Sequence, residues 1–295
     1  MKGWKAELLL FTVTFIWGGT FVFTKIGLGS TTPSLYVAIR FFIALILSLL
    51  IFGKHLKNAK KQTLKNGLIL GLLFGGGFVL QTWGLKMTTV TKSAFITGLS
   101  VIFTPFAFKL IIKRKVRTWA KIGVIIAFIG LWIFTNPEIG NLNLGDILTV
   151  ISTLFWAFYI VYMDVFTKGK EDFNETIQLV IMQFVGTFSV AFISHLIYQK
   201  AEFEIIFDKN LIISLAYNAI IASFILTLIH TTLQRYTTPV KAALIFSLEP
   251  VVATFIAVIV LNEILTGREY IGASILFLGV LASELGDYFI GKNKD

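Results

Sequence analysis

The chain has 295 residues, of which 56% are hydrophobic and 14% are charged, with a mean hydropathy of +0.83 and a net charge of +10. This composition is too apolar for an ordinary soluble domain, and ten membrane helices of about 20 residues each leave room only for loops and short ends. The chain has no cysteine, which excludes disulfides, thiolate metal sites and cysteine nucleophiles.

Apolar runs separated by charged or Pro/Gly-containing breaks predict ten membrane-spanning helices. The first run follows Lys2 and Lys5 but lacks a small-residue cleavage site before a soluble domain, so it is predicted as a helix rather than a signal peptide. The predicted spans, numbered 1 to 10, are 6–28, 33–53, 66–86, 91–112, 119–135, 145–165, 175–198, 211–233, 238–261 and 269–290.

The basic residues are divided unevenly between the two membrane faces. Eighteen Lys and Arg residues lie on the face that holds the N-terminus, and six lie on the opposite face. Because basic loops usually stay in the cytoplasm, both termini are predicted to be cytoplasmic, in a plasma (bacterial inner) membrane. The basic loops lack regularly interleaved aromatic residues, which favours orientation signals and contacts with membrane lipids over nucleic-acid binding.

The two halves of the chain align with each other. An offset of 149 residues pairs 92–130 with 241–279 without a gap, and ten of these 39 positions are identical. At an offset of 139 the first spans of the two halves also correspond. The aligned pairs include Lys92 with Lys241, Ser100 with Glu249, Gly123 with Gly272, Gly130 with Gly279, Glu7 with Asp146 and Trp17 with Trp156.

This internal alignment predicts a duplicated unit of five spans. Five is an odd number, so the second copy enters the membrane from the opposite face, and inverted repeats of this kind suit alternating access. The predicted units are residues 1–136 and 145–290, with a linker over 137–144 and a cytoplasmic tail over 291–295.

With this organisation the sequence resembles the EamA branch of the drug/metabolite transporter superfamily over nearly its whole length. The matching motifs are Trp17-Gly18, Trp156-Ala157, Ser247-Leu248-Glu249-Pro250, and Leu261-Asn262-Glu263 followed by Gly272 and Gly279. Two departures are Asn262, where the pattern usually has glycine, and Lys113-Arg114 at the equivalent place in the first copy. The resemblance implies ten helices, no ATP hydrolysis, and export or uptake of amino acids or other small metabolites.

Polar side chains within the spans fall on stripes that are predicted to face a central cavity, because a polar group facing lipid is costly. The Ser and Thr residues alone are also explained by hydrogen bonds to their own helix. Trp17 and Trp156 lie well inside their spans, whereas Tyr36 and Trp119, near span ends, are predicted in the interfacial belts. The predicted substrate-binding residues are Trp17, Thr20, Gln81, Thr97, Ser100, Trp156, Tyr159, His230, Gln234 and Glu249.

Two ionisable residues inside the spans have several interpretations. Glu249 is predicted to bind a cationic group, to exchange a proton, or to pair with His230 or Lys241, and a structural role beside Pro250 is equally consistent. Arg40 in span 2 either meets a substrate carboxylate through a bidentate contact or pairs within the protein.

Small residues and prolines mark places where the helices pack closely or break. Gly67, Gly71 and Gly75 form a double Gly-x-x-x-Gly track that predicts close helix packing, with gating on the same face as the alternative. Pro105 and Pro250 are predicted to break spans 4 and 9 from within, at non-equivalent positions of the repeat.

The sequence therefore predicts an all-α integral membrane protein, with ten transmembrane helices in two inverted five-helix repeats around a central cavity. It has no phosphate-binding loop, no Gly-x-Ser-x-Gly elbow and no paired histidines, so we expect no cofactor, no metal and no enzymatic activity. The predicted function is a secondary transporter or facilitator of a small polar metabolite, with amino acids first and proton coupling left open. The alternatives are vitamins, nucleotide precursors or quaternary amines as substrates, a membrane enzyme with a buried Glu249/His230 site, and a passive channel.

Overall fold

The computed structural model describes residues 3–135, 143–198, 205–261 and 266–291, nearly all of them in helices. Residues 137–142 of the predicted linker, the end of the tail at 292–295, and the motif residues Asn262 and Glu263 lie outside these ranges.

The described helices correspond to the ten predicted spans. Eight helical stretches are long and apolar enough to cross a membrane, and two shorter apolar helices, Thr118–Phe134 and Tyr270–Ser283, supply spans 5 and 10. The ten-span prediction is confirmed, and the chain is a multi-pass membrane protein. The helices are α1 (Gly3–Gly27), α2 (Pro33–Phe52), α3 (Lys61–Met87), α4 (Val90–Gly98), α5 (Ser100–Ile112), α6 (Thr118–Thr135), α7 (Leu144–Thr167), α8 (Phe173–Tyr198), α9 (Lys209–Leu215), α10 (Leu226–Gln234), α11 (Pro239–Phe246), α12 (Glu249–Leu261) and α13 (Gly267–Gly291), with a π-helical segment, Ala216–Ile225, between α9 and α10.

Spans 4 and 9 are each divided into two helices at equivalent positions of the repeat. Leu99 separates α4 from α5, and Ser247 with Leu248 separates α11 from α12. The helices that lead into the breaks also begin alike, because the side chains of Thr89 and Thr238 cap the starts of α4 and α11. The two breaks are therefore a shared feature of the repeat.

The predicted position of the break in span 4 is wrong. Pro105 lies inside α5, well after the break, whereas Pro250 is the second residue of α12, where a missing backbone N–H leaves no helical bond unmade. In span 4 the break needs no proline. The N–H of Leu99 donates to the carbonyl of Ile96 at 3.1 Å, a tight three-residue turn that interrupts the α-helical pattern.

The two repeats pack against each other as an inverted pair. Spans 3 and 4 of one repeat contact the first span of the other: α3 and α5 pack on α7, while α9, α10 and α12 pack on α1. The fifth spans, α6 and α13, pack along each other. This reciprocal packing confirms the inverted-repeat prediction and leaves the central cavity between the repeats.

The glycine track of span 3 packs internally, as predicted. A side chain at Gly67 or Gly71 would run into the backbone of α8, which lies directly against α3. Thr187 of α8 donates a hydrogen bond to the carbonyl of Gly71 at 3.2 Å. The absence of side chains on this face therefore permits the close approach of α3 and α8.

Tyr36 is not an interfacial belt residue, contrary to the prediction. Its side chain is fully buried, and its hydroxyl lies 2.6 Å from Ser214 Oγ and accepts a hydrogen bond from Asn218 at 2.6 Å. Trp119 is half-buried at the start of α6. Tyr36 thus connects span 2 to span 8 through hydrogen bonds, because its hydroxyl lies inside the bundle, where polar partners are available.

Candidate functional site

A central cavity lies beside the breaks in spans 4 and 9. Thr97 and Ser100 flank one break, Phe246 and Glu249 flank the other, and all four line the cavity. The cavity volume is about 60 Å³, enough for a few water molecules. The lining residues are Trp17, Thr20, Phe21, Arg40, Phe74, Phe78, Gln81, Thr97, Ser100, Trp156, Tyr159, Ile160, His230, Phe246 and Glu249.

Aromatic rings form one wall of the cavity. The ring of Trp17 lies 5.2 Å from that of Phe246 and 5.4 Å from that of His230, measured between centroids. The ring of Tyr159 lies 5.9 Å from that of His230. Most of these contacts are edge-to-face, which aromatic rings prefer over direct stacking.

The wall continues through residues of α3 and α7. Phe74 packs on Tyr159 at 4.6 Å, and Phe78 meets Trp156 edge-on at 4.8 Å. A Cβ atom at Gly77 would lie 3.1 Å from the Trp156 indole, so the missing side chain at this position leaves room for that ring. The two tryptophans that are equivalent in the repeat thus occupy the same aromatic wall.

The π-helical segment orients two cavity residues. The indole N–H of Trp17 donates to the carbonyl of Ala222 at 3.0 Å, and Ser223 Oγ accepts a hydrogen bond from Arg40 Nε at 2.7 Å. Both partners belong to Ala216–Ile225. π-helical turns inside helices occur often at functional sites.

Several polar atoms in the wall are positioned by hydrogen bonds or left available. Gln81 donates to Thr97 Oγ1 at 2.8 Å, and His230 Nε2 lies 3.0 Å from Gln234 Oε1. Among the described residues, Trp156 Nε1 and His230 Nδ1 are buried without a hydrogen-bond partner. Buried polar atoms are usually paired, so these two are available to a ligand.

The charged residues of the cavity are Arg40 and Glu249. The guanidinium of Arg40 lies over the ring of Phe78 at 4.5 Å from its centroid, a cation–π contact. The side chain of Glu249 is half-buried, and it makes no hydrogen bond or ion pair with any residue that the structure describes. One alternative for Glu249, pairing with His230 or Lys241, is not observed, because His230 Nε2 contacts Gln234 and Lys241 Nζ lies 3.3 Å from Glu7 Oε1.

Nine of the ten predicted site residues line the cavity, and Gln234 does not. Gln234 is fully buried behind His230, which it contacts through Oε1. That these ten residues bind the substrate stays a prediction.

Five apolar lining residues were not predicted as site residues: Phe21, Phe74, Phe78, Ile160 and Phe246. Phe74 carried a usable signal, because Phe74, Phe78 and Gln81 are spaced by four and three residues and share one helical face. Phe246 is the repeat counterpart of Thr97, so the alignment also indicated its place.

The chain is similar to transporters along its whole length. It is 32% identical to an uncharacterized transporter of Archaeoglobus fulgidus over 97% of this chain and 87% of that protein. It is 24% identical to the uncharacterized transporter YoaV of Bacillus subtilis, over 94% and 95% of the two chains. It is 25% identical to the uncharacterized inner membrane transporter YedA of Escherichia coli, over 95% and 90%.

A solved crystal structure has the same fold. It superposes with a TM-score of 0.76 over 97% of this chain and 98% of the other, at 15% sequence identity. The model of the EamA-like transporter family matches residues 4–136 and again residues 143–284. The two matches fall on the two halves described above, and the chain belongs to the EamA-like transporter family.

Proposed function

We propose that this protein is a secondary transporter or facilitator that moves a small polar metabolite by alternating access, with amino acids as the first candidate substrates. The observation that carries the proposal is the cavity between the inverted repeats. The acidic Glu249, the basic Arg40 and the aromatic wall all line this one cavity. Broken helices that meet beside a cavity between inverted repeats are typical of binding sites in secondary transporters.

The lining residues divide into two groups with different roles. Trp17, Trp156 and Tyr159 enclose the substrate, while Thr20, Gln81, Thr97, Ser100 and His230 offer hydrogen bonds. Gln234 orients the imidazole of His230. Glu249 binds an ammonium group or a coupling proton.

The position of the cavity supports a carrier that changes shape. The cavity lies between the repeats, and their relative movement would open it to each side of the membrane in turn. The basic loops favour an orientation with both termini in the cytoplasm, in a plasma or bacterial inner membrane.

The first test is ligand-induced thermal stabilisation of the purified protein. Amino acids, vitamins, nucleosides and quaternary amines are each added at millimolar concentration at two pH values, and stabilising compounds then enter counterflow assays in liposomes. A compound present at 100 times its dissociation constant stabilises the fold by about 2.7 kcal/mol. We expect amino acids to form the stabilising set and to show counterflow.

Two tryptophan variants provide the matched control. Trp156→Ala removes a wall of the cavity and is expected to abolish both responses, whereas Trp132→Ala, on the outer face of α6, leaves them unchanged. Stabilisation by another class of compound would reassign the substrate. Uptake without counterflow would indicate a channel, and chemical conversion of an added compound would indicate an enzyme.

A further inference from the structure

The charge of Arg40 has no acidic partner among the residues that the structure describes. Its side chain is only 2% exposed, and its Nε donates to Ser223 Oγ at 2.7 Å. No described carboxylate pairs with the guanidinium, and the Arg40 and Glu249 side chains form no ion pair with each other. A buried charge is normally paired, because removal from water is costly.

Arg40 is one of the residues that line the cavity. The hydrogen bond to Ser223 and the ring of Phe78 fix one edge and one face of the group. The two terminal nitrogens make no hydrogen bond with any residue that the structure describes, which leaves them for a ligand, and a planar fork of donors suits a carboxylate.

We propose that Arg40 is the carboxylate-binding residue of the cavity, so that the substrate carries an anionic group. This inference rests on the proposed function and narrows its substrate class. Together with Glu249, it makes the cavity complementary to a zwitterion whose ammonium and carboxylate meet opposite charges.

The test compares 3-phenylpropanoate with 3-phenylpropanamide, which have similar shapes and differ in charge. Dissociation constants are measured by thermal shift for the wild type, Arg40→Gln, Arg40→Lys and Ser223→Ala. We expect the wild type to prefer the carboxylate at least about tenfold, the value for one charge-assisted hydrogen bond. We expect Arg40→Gln to lose that preference, and Arg40→Lys and Ser223→Ala to retain only part of it.

An equal response of the wild type to both compounds would overturn the assignment, as would a preference that persists in Arg40→Gln. If Arg40→Gln does not fold, an undiminished preference in both Arg40→Lys and Ser223→Ala has the same meaning. This comparison needs no amino acid, so it can fail while the proposed transport of another metabolite holds.

Two ion pairs lie near opposite ends of the bundle. The N-face pair joins Glu7 of α1 to Lys241 of α11 at 3.3 Å, and Thr237 donates to the same carboxylate at 2.9 Å. The equivalents of these three residues in the other repeat, which are also in contact, are Asp146, Lys92 and Thr88.

The opposite-face pair joins Asp146 of α7 to Lys92 of α4 at 2.7 Å, and Thr88 donates to the same carboxylate at 2.9 Å. Asp146 is fully buried and further held by the backbone N–H of Asn143 at 2.9 Å. Each pair thus connects the first span of one repeat to the start of the fourth span of the other.

We propose that the two pairs are alternating gates. In a carrier built of inverted repeats, opening toward one face separates the repeats there while they stay joined at the other. Opening at the N-terminal side therefore breaks the N-face pair and keeps the opposite-face pair, and the reverse opening does the opposite. Both pairs are formed in the structure, where the cavity is small.

The absence of native cysteine makes an accessibility test direct. Thr20→Cys places a single thiol in the cavity wall, and a membrane-impermeant maleimide is applied from each face of oriented vesicles. We expect Glu7→Gln to raise labelling from the N-terminal face and Asp146→Asn to raise it from the opposite face. Each change should be about tenfold or more, the population shift for one lost charged hydrogen bond.

Two controls separate gating from general loosening. Glu175→Gln removes an ion pair with the exposed Lys60 and should change neither rate. The exchange Glu7→Lys with Lys241→Glu should restore the wild-type pattern. Lys241→Gln breaks the same ion pair and replaces Glu7→Gln should that variant not fold. Equal changes from both faces, or no change in a folded single variant of either pair, would overturn the gates without bearing on the substrate.

Discussion

Replacing Glu249 by glutamine is expected to reduce substrate counterflow at least about thirtyfold while the protein stays folded. Among the lining residues that the structure describes, Glu249 alone is acidic, and the equivalent position in the first repeat is Ser100. Glutamine keeps the shape of the side chain but cannot hold a proton or form an ion pair with an ammonium group. The loss of a desolvated charged partner weakens binding by about 2 kcal/mol or more, which gives the thirtyfold estimate.

Matched variants distinguish the charge from its surroundings. Glu249→Asp keeps the carboxylate and should retain part of the activity, and Glu175→Gln makes the same chemical change in an ion pair outside the cavity and should have no effect. If Glu249 exchanges the coupling proton, a pH gradient should drive uptake by the wild type and not by Glu249→Gln. Normal counterflow by the variant at every pH would remove Glu249 from the mechanism.

The polar stripes could be predicted from the sequence because polar side chains in a membrane span face the interior of the bundle, whereas apolar side chains face the lipid. The helical period indicates which face of each span is polar. Four residues on these faces line the cavity: Thr97, Ser100, Tyr159 and His230. The spacing of Phe74 carried the same information, but phenylalanine is equally common on the lipid face, so its type gave no direction.

Contacts between the repeats could not be predicted from either repeat alone. The alignment pairs Lys92 with Lys241 and Glu7 with Asp146, yet the ion pairs join Lys92 to Asp146 and Lys241 to Glu7. Equivalent residues in one sequence show what each repeat contains and do not show which helix of the partner repeat it meets. The break at Leu99 was not predicted at its place, because no proline marks it in the sequence.

The contact between α6 and α13 follows the same pseudo-symmetry. Gly130 of α6 faces the backbone of α13 near Gly272, and Gly123 of α6 faces Gly279. These four glycines are two equivalent pairs of the repeat. Each helix thus presents two positions without a side chain, and the backbones approach directly, as at other small-residue interfaces in membranes.

Gly272→Ala is therefore expected to destabilise the fold strongly, and Gly267→Ala on the same helix is expected to have no effect. A Cβ atom at Gly272 would overlap the backbone of Phe134, which cannot rotate away as a side chain can, whereas a Cβ atom at Gly267 would meet no atom within 4 Å. Forced overpacking costs about 3 kcal/mol, which lowers the midpoint of thermal unfolding by roughly 6 °C or more. Thermal unfolding of both variants in detergent measures the difference. Equal midpoints would show that α6 and α13 separate without cost, and the close backbone contact would then not stabilise the pairing of the repeats.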